Sequence, residues 1–491
     1  MPDTRLPELH DSFASHLPEL CLDWQAAETP DPQLLCLNEP LAQQLGLDPE
    51  WLRSSAGINF LCGANLPESA HPVAMGYAGH QFGQLSPRLG DGRALLLGEV
   101  TDVDGTLRDI HLKGSGPTKF SRGGDGWGAL GPMLREYLLS EAMHALGIPT
   151  TRALAVISTG RKIARERVVP AALLVRVASS HIRVGSFQYA QLIGGGDLVT
   201  RLSDYTRRRH YPGADDARAV FSGALDTQLA TVAQWMRIGF IHGVMNTDNT
   251  TLSGETIDYG PCAFMDEFDE QAVFSSIDHG GRYRYRNQPQ IIGWNFARLA
   301  EAMLPAFNDD PDTAVEFAQQ TMDGFQQRWR SAQVVERCRA IGVDDAVLAD
   351  EFYSLVEQAR PDLTSAHRSL VAVARANHDQ ASESAQHHAK LGSSIDQLTQ
   401  HLGNSAQARD WISRWLRCSP DAAALARLHP VVIPRNHLVE KALRAANDGD
   451  MGPFEELLSV VTDPFNEQHP ERVHQPAPVE FNESYQTFCG T

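Results

Sequence analysis

Between His242 and Pro261 the chain reads HGVMNTDNTTLSGETIDYGP, and this stretch restricts the fold more than any other. It follows TQLATVAQWMRIGFI, whose apolar residues recur at helical spacing. It then offers two side chains with ligand oxygens, Asn249 and Asp258, nine residues apart, the Asp placed after a short apolar approach and before Tyr259-Gly260. Magnesium and manganese prefer oxygen ligands, and they take only one or two from protein when phosphate oxygens supply the rest. An Asn and an Asp flanking a hairpin meet that need. Both are also common turn formers, so the His-Gly prefix and the trailing Tyr-Gly are what favour a metal loop over a plain turn.

The spacing of His242, Gly243 and Asn249 resembles the H-G-D-x-x-x-x-N loop of ATP-dependent phosphotransferases, and Asp258-Tyr259-Gly260 takes the place of their D-F-G. In that loop the Asp accepts the proton of the attacking hydroxyl. Here the position is Val244. Asp248 is the only nearby carboxylate that could replace the missing base, and it would serve equally well as a loop cap.

A phosphate-binding half should precede this loop. RLGDGRALLLGEV sets Gly90 and Gly92 ahead of a strand that Arg93 opens. Glycines let backbone approach phosphate closely, although hairpins use them too. Lys113 ends the next strand, IHLKG, where a kinase keeps its phosphate-contacting lysine. Its partner should be a Glu on the following helix, GPMLREYLLSEAMHALG, with Pro132 in the first turn and Gly147 at the stop. Periodicity slightly favours Glu141 over Glu136 as the inward residue, but apolar positions surround most of this helix. Arg176 and Arg183 are seven apart, so on one straight strand they would face opposite ways. A break at ASSH must turn the chain if both reach one site. SRGGDGWG adds a flexible turn with Asp125 and Gly126 that could lie over a nucleotide.

These pieces predict an α+β chain with a protein-kinase-like, two-lobed fold. Residues 1–75 read as an N-terminal extension of short helices and Pro-rich breaks packed on the main body. Residues 76–190 read as a strand-rich N-lobe, with RALLLGEV and LRDIHLKG as an antiparallel hairpin and further strands through ALLVRVASSHIRVGSF. Residues 191–472 read as a helical C-lobe, its helical character set from about Asp226, and 473–491 as an irregular Pro-rich tail. No internal repeat is visible.

Charge narrows the partners. The 491 residues carry 42 Lys and Arg against 61 Asp and Glu, a net charge of -19. Such a field disfavours generic binding to nucleic acid or an anionic membrane, so a phosphate site must be a local basic exception. The acidic N-terminal stretch lacks a signal-peptide core, and no window approaches ~18 uninterrupted apolar residues. Seven scattered cysteines without C-x-x-C spacing argue against a disulfide framework or a zinc site. The expected compartment is a reducing cytoplasm.

Taken together, GHQFGQLSPRLGDGRALLLGE, LKGSGPTKFSRGGDGWGALGPMLREYL, HGVMNTDNTTLSGETIDYGPCAFMD, WNFARLAE and a Cys near the end resemble the selenoprotein O family over essentially the whole chain. The resemblance implies a kinase-like fold lacking the usual catalytic Asp. It implies a protein adenylyltransferase that moves AMP from ATP to Ser, Thr or Tyr hydroxyls and releases pyrophosphate; some members of that family also use UTP. It implies ATP bound in the opposite sense to kinases, so that the attacked atom is the α-phosphorus and Val244 is compatible with activity. On that basis Asp248 is the proton acceptor, Asn249 and Asp258 hold Mg2+ or Mn2+, and Lys113 pairs with Glu136 rather than Glu141. Gly90, Gly92, Arg93, Asp125, Gly126, Arg176 and Arg183 then surround the nucleotide. Some family members carry selenocysteine where this chain has Cys489, and a restraining disulfide to a cysteine nearer the site, with Cys262 closest by sequence, belongs to the same implication. The rival readings are a γ-phosphotransferase and a non-catalytic ATP-binding scaffold.

Overall fold

The computed structural model describes residues 6–378 and 385–488. It is a mixed α and β fold in which a strongly twisted antiparallel sheet precedes a helical region. The strands are β1 (Cys21–Asp23), β2 (Gln33–Leu37), β3 (Val73–Met75), β4 (Gly79–Gln81), β5 (Gln84–Ser86), β6 (Ala94–Thr101), β7 (Leu107–Lys113), β8 (Gly128–Ala129), β9 (Arg152–Ala164) and β10 (Val168–Ala178). Among the described residues the main sheet runs in the order β1-β3-β6-β7-β10-β9-β2, with β8 paired to β10. β4 and β5 form a separate hairpin.

The expected β6–β7 hairpin is present, and its turn is fixed by Asp102, whose Oδ1 accepts from the backbone N–H groups of Asp104 and Thr106 (3.1 and 2.8 Å). Nearly every residue of β6 is buried, because both faces of the sheet are covered. One face carries the helix Leu130–Ala145, which lies in a core that extends to Phe454 and Val461 near the C-terminal end. The other face is covered by N-terminal residues, among them Leu41, Trp51 and Phe60.

Three expectations need correction. The first ~75 residues do more than pack on the body: they supply β1 and β2, the two edges of the main sheet. Strand structure stops at Ala178 rather than running through Phe187. Val184 opens a helix to His210, kinked at Gly195, and its start is fixed where the Arg183 backbone N–H donates to Ser186 Oγ (3.1 Å) and the Ser186 N–H donates to the Arg183 carbonyl (2.9 Å). The chain is therefore helical well before Asp226. The tail is not irregular throughout either: Val479–Ser484 is a short helix, and Thr487 bridges to Ser275.

The loop from His242 to Cys262 is closed by a two-residue pairing of β11 (Phe240–Ile241) with β12 (Ala263–Phe264). It hangs between the helix Ala217–Ile238 and the helix Gln288–Phe307. Among the described residues, no helix is long and apolar enough to cross a membrane.

Candidate active site

A cavity of about 570 Å³ opens between the sheet and this loop. Its wall includes Gly90, Gly92, Arg93, Lys113, Asp125, Gly126, Glu136, Arg176, Arg183, Asp248, Asn249 and Asp258, which brings these twelve residues to one place. Arg93, Lys113, Arg122, Arg165, Arg176 and Arg183 line it against Asp91, Asp125, Glu136, Asp248 and Asp258. On a chain of net charge -19 this is the local basic exception that a phosphate site requires.

The centre is a charge cluster built from four elements. Lys113, at the end of β7, donates to Glu136 Oε2 and to Asp258 Oδ1, both at 2.6 Å. Arg176 on β10 faces His111 in the β7 register and donates through Nη2 to Asp258 Oδ1 (2.7 Å) and through Nε to Glu136 Oε1 (2.9 Å). Glu136 is thus the helix partner of Lys113. Glu141 is instead occupied by Arg152 (2.7 Å) and by the backbone N–H of Ala153 (2.9 Å). The turn after Ala178 lets Arg183 reach the same place, with its guanidinium 3.8 Å from Asp258 Oδ2 and 4.4 Å from the ring centre of Tyr77. Burial opposes ionisation of Glu136 and Asp258, but the adjacent cations win. Arg176 and Lys113 hold Glu136 below its usual range, and Lys113, Arg176 and Arg183 hold Asp258 well below its own.

Local backbone chemistry sets the loop. His242 donates through Nε2 to the carbonyl of Ile257 (2.8 Å), tying the start of the loop to the residue before Asp258. Asp258 itself adopts φ +64, a left-handed conformation uncommon for a non-glycine residue and frequent at functional sites. Arg135, beside Glu136, donates to the carbonyls of Gly260 and Cys262 (3.1 and 2.6 Å), so one helical turn fixes both the partner of Lys113 and the far side of the loop.

Asp248 and Asn249 lie on a single 3-10 turn, Thr247–Asn249. Asn249 donates through Nδ2 to the carbonyl of Val244 (2.9 Å), which leaves its amide oxygen available as a ligand. That oxygen and the Asp258 carboxylate form a hard-oxygen donor pair that suits Mg2+ or Mn2+ with phosphate completing the shell. Among the described residues no group of three or more His, Cys, Asp or Glu could hold a metal. Asp248 is 8% exposed and forms no ion pair among the described residues. Burial pushes its carboxyl up to about 6, with Arg183 acting the other way. Val244, at the position of the kinase base, is buried and apolar.

The glycines and Asp125 act through the wall. Gly90 (φ +70) lies flat against the Phe120 ring, and a β-carbon there would stand 2.3 Å from it. Gly126 (φ +73) leaves no room beside Gly116 and Pro117. Asp125 is gripped by both terminal nitrogens of Arg165 (2.8 and 3.0 Å), which ties the Gly-rich turn to the β9–β10 hairpin.

Several residues at the site went unnoticed in the sequence. Asp91 accepts from His111 Nε2 (3.1 Å) and from the backbone N–H of Met75 (3.0 Å). The β4–β5 hairpin is fastened to the loop: His80 N–H donates to Thr247 Oγ1 (2.7 Å) and Phe82 N–H to Asn246 Oδ1 (3.1 Å). Asn246 was within sight, since it sits in the same loop as Asp248. Of the cysteines, Cys489 lies outside the described residues. Cys262 is fully buried, and burial pushes its thiol up to about 12. Thr487 donates to the carbonyl of Pro261 (2.6 Å), so the tail runs beside this cysteine.

A cluster of paired cations facing an oxygen donor pair beneath a strand-rich wall defines a nucleotide-handling site. Residues 8–462 match the family model described as "Protein adenylyltransferase SelO", and the chain belongs to that family. It is 51% identical to the protein nucleotidyltransferase YdiU of Corynebacterium efficiens over 98% of this chain and 96% of that relative. It is equally similar, at 51%, to the YdiU protein of Mycolicibacterium paratuberculosis, covering 100% of this chain and 99% of the relative. The YdiU protein of Rhodococcus jostii is 47% identical.

Proposed function

We propose that this protein transfers AMP from ATP to Ser, Thr or Tyr hydroxyls of other proteins, releasing pyrophosphate, with ATP bound in the opposite sense to that in kinases. The observation that carries the reading is the exchange of positions on one loop. The kinase base position is the buried, apolar Val244, while Asp248, the carboxylate four residues on, lines the same cavity. A transfer whose reacting phosphorus is the α rather than the γ needs its base elsewhere.

On this reading Asp248 orients the acceptor hydroxyl and takes its proton. Lys113, Arg176 and Arg183 neutralise charge that develops on the pyrophosphate side, and Glu136 keeps the first two extended into the cavity. Asn249 and Asp258 would hold Mg2+ or Mn2+, which supplies charge neutralisation between phosphate oxygens when bound. Gly90, Gly92 and Arg93 form the wall against which the nucleotide lies. Asp125 and Gly126, latched by Arg165, shape the turn above it. The sheet with its two N-terminal edges acts as the nucleotide lobe and the helical region as the acceptor lobe. UTP is a second nucleotide of the same chemistry. The net negative surface supports protein acceptors over nucleic acid or membrane partners.

The test is intact-protein mass spectrometry of the chain with ATP, Mg2+ or Mn2+ and a generic protein acceptor, beside Asp258→Ala. AMP-sized increments that vanish in the variant are expected. Phosphate-sized increments would make the protein a γ-phosphotransferase, and bound ATP without any increment would make it a scaffold.

A further inference from the structure

The β4–β5 hairpin covers Asp248 at one end and meets a basic aromatic patch at the other. At its start Gly79 lies against the Asp248 carboxylate, and at its turn Gly83 lies against Arg282, whose guanidinium would be 3.6 Å from a β-carbon built there. Arg282 is held from behind: its guanidinium carbon is 4.7 Å from the Trp294 ring centre and 5.7 Å from that of Tyr283. Trp294 carries Arg298 over its ring as well (5.3 Å), with His80 edge-on at 5.2 Å. Arg298 is paired with Glu301 at 2.6 Å. Arg282 forms no ion pair among the described residues, and its Nε is buried without a hydrogen-bond partner. Phe82 and Ile277, between this patch and the cavity, are both exposed and both line the cavity mouth.

A preorganised guanidinium that stacks on aromatic rings and lacks a carboxylate is suited to take one from a partner. Arg282 is not part of the nucleotide cavity wall. Gly83 is four residue steps beyond Gly79, at most about 13 Å at ~3.3 Å per step. An extended acceptor covers that distance in three or four residues.

We propose that Arg282, backed by Trp294, is a specificity-determining residue for the acceptor, binding an Asp or Glu carboxylate three or four residues from the hydroxyl that is modified. The inference rests on the reading of Asp248 as the proton acceptor. The acceptor segment lies extended across the hairpin, with its hydroxyl at Asp248 and its carboxylate on the exposed edge of Arg282. Neutral acceptors reach the same hydroxyl position but lack this anchor, so the preference resides in acceptor KM rather than in KM for ATP.

The experiment compares serine peptides carrying Glu, Gln or Lys three and four residues to either side of the serine, with wild-type protein, Arg282→Gln and Arg282→Glu, scoring AMP-peptide by mass spectrometry. The wild type should favour the Glu peptides about three- to tenfold in kcat/KM, the range of a partly desolvated charge pair. Arg282→Gln should abolish the preference, and Arg282→Glu should shift it to Lys-containing peptides. Thermal unfolding and ATP affinity confirm that each variant is folded. A preference absent in the wild type, or one that persists in Arg282→Gln, overturns the assignment of Arg282. Absence of AMP transfer to any peptide or to the protein itself, with ATP bound, overturns the transfer reading and this inference with it.

Discussion

A β-carbon built on Gly79 would stand 2.3 Å from Asp248 Oδ1. Gly185, at the start of the helix behind, is equally tight against the carbonyl of Ala78, at 2.1 Å. The hairpin, the helix start and the Thr247–Asn249 turn are therefore pressed together with no side chain between them. Gly79→Ala tests Asp248 without removing it. The methyl group must displace the carboxylate or the hairpin, and a displacement of ~1 Å at reacting groups costs on the order of 100-fold in rate. We expect that loss in AMP transfer with ATP affinity retained, measured by initial rates and by calorimetric titration. Transfer at the wild-type rate would remove Asp248 from the reacting position.

Glu136 and Glu141 separate by function. Glu136 is buried between Lys113 and Arg176, so Glu136→Gln removes one of the two carboxylates they share and leaves Asp258 alone to balance both cations. Breaking a buried pair in this way costs ~3–5 kcal/mol of stability, and the freed Lys113 and Arg176 should lower ATP affinity as well. Glu141→Gln, on the same helix, breaks the ion pair with Arg152 at the start of β9 and should destabilise the fold while leaving ATP affinity intact. Denaturant unfolding together with nucleotide titration of both variants decides this; equal losses of affinity would show that the two carboxylates act as one network.

The same helix shows how far the sequence could be read. Lys113, Asn249 and Asp258 stood out because their spacing is local, as did the β6–β7 hairpin with its TDVDG turn. The helix Leu130–Ala145 is buried on nearly all sides, between the sheet and the C-terminal helices, so its periodicity carried almost no direction and pointed slightly to the wrong glutamate. The edge strands β1 and β2 are three and five residues long and pair with partners fifty or more residues away, which leaves no local signal. Asp125 was legible as a loop residue, but its latch to Arg165 depends on a hairpin that closes forty residues later. Strand propensity in ALLVRVASSHIRVGSF continued past Ala178, where the serines and the Arg183–Ser186 cap ended it.

Metal dependence should be conditional on nucleotide. On the proposed reading Asn249 and Asp258 would contribute two side chains, and Asp258 already answers to Lys113 and Arg176. Such a site binds a divalent ion weakly until phosphate oxygens complete its shell. Mg2+ alone should leave the thermal midpoint unchanged, while Mg2+ with a non-hydrolysable ATP analogue should raise it more than the analogue alone. Asn249→Ala should abolish only that increment, and chelation should stop transfer. A midpoint raised by Mg2+ in the absence of nucleotide would show a preformed metal cage instead.

The chain should lose stability as the pH falls below about 6.5, because three buried histidines and one half-buried one are kept neutral by the fold. Burial is the leading cause in each case: it holds His181 and His429 well below their usual range, His210 near 4 and His367 near 3. In the unfolded chain these rings gain protons around pH 6.5, whereas in the folded chain they do not, so stability present above that pH is lost as the pH falls toward the folded values. Each ring contributes up to about 1.4 kcal/mol per pH unit. The raised carboxyls of Glu99, Asp109, Asp248 and Glu255 work in the opposite sense between their ordinary and raised values, and Asp248, pushed up to about 6, offsets part of the histidine loss within the window from about pH 5 to 6.5. His367 stacks on His429 at 4.5 Å and accepts or donates a 3.4 Å bond at Tyr353. His367→Phe keeps the ring, loses that bond and cannot titrate. It should therefore be less stable than the wild type at pH 7.5, yet lose less stability on acidification, by about one proton's worth across the window. Urea unfolding at pH 7.5, 6.5 and 5.5 measures both effects, and parallel pH profiles for the two proteins would show that His367 takes no part in the acid sensitivity.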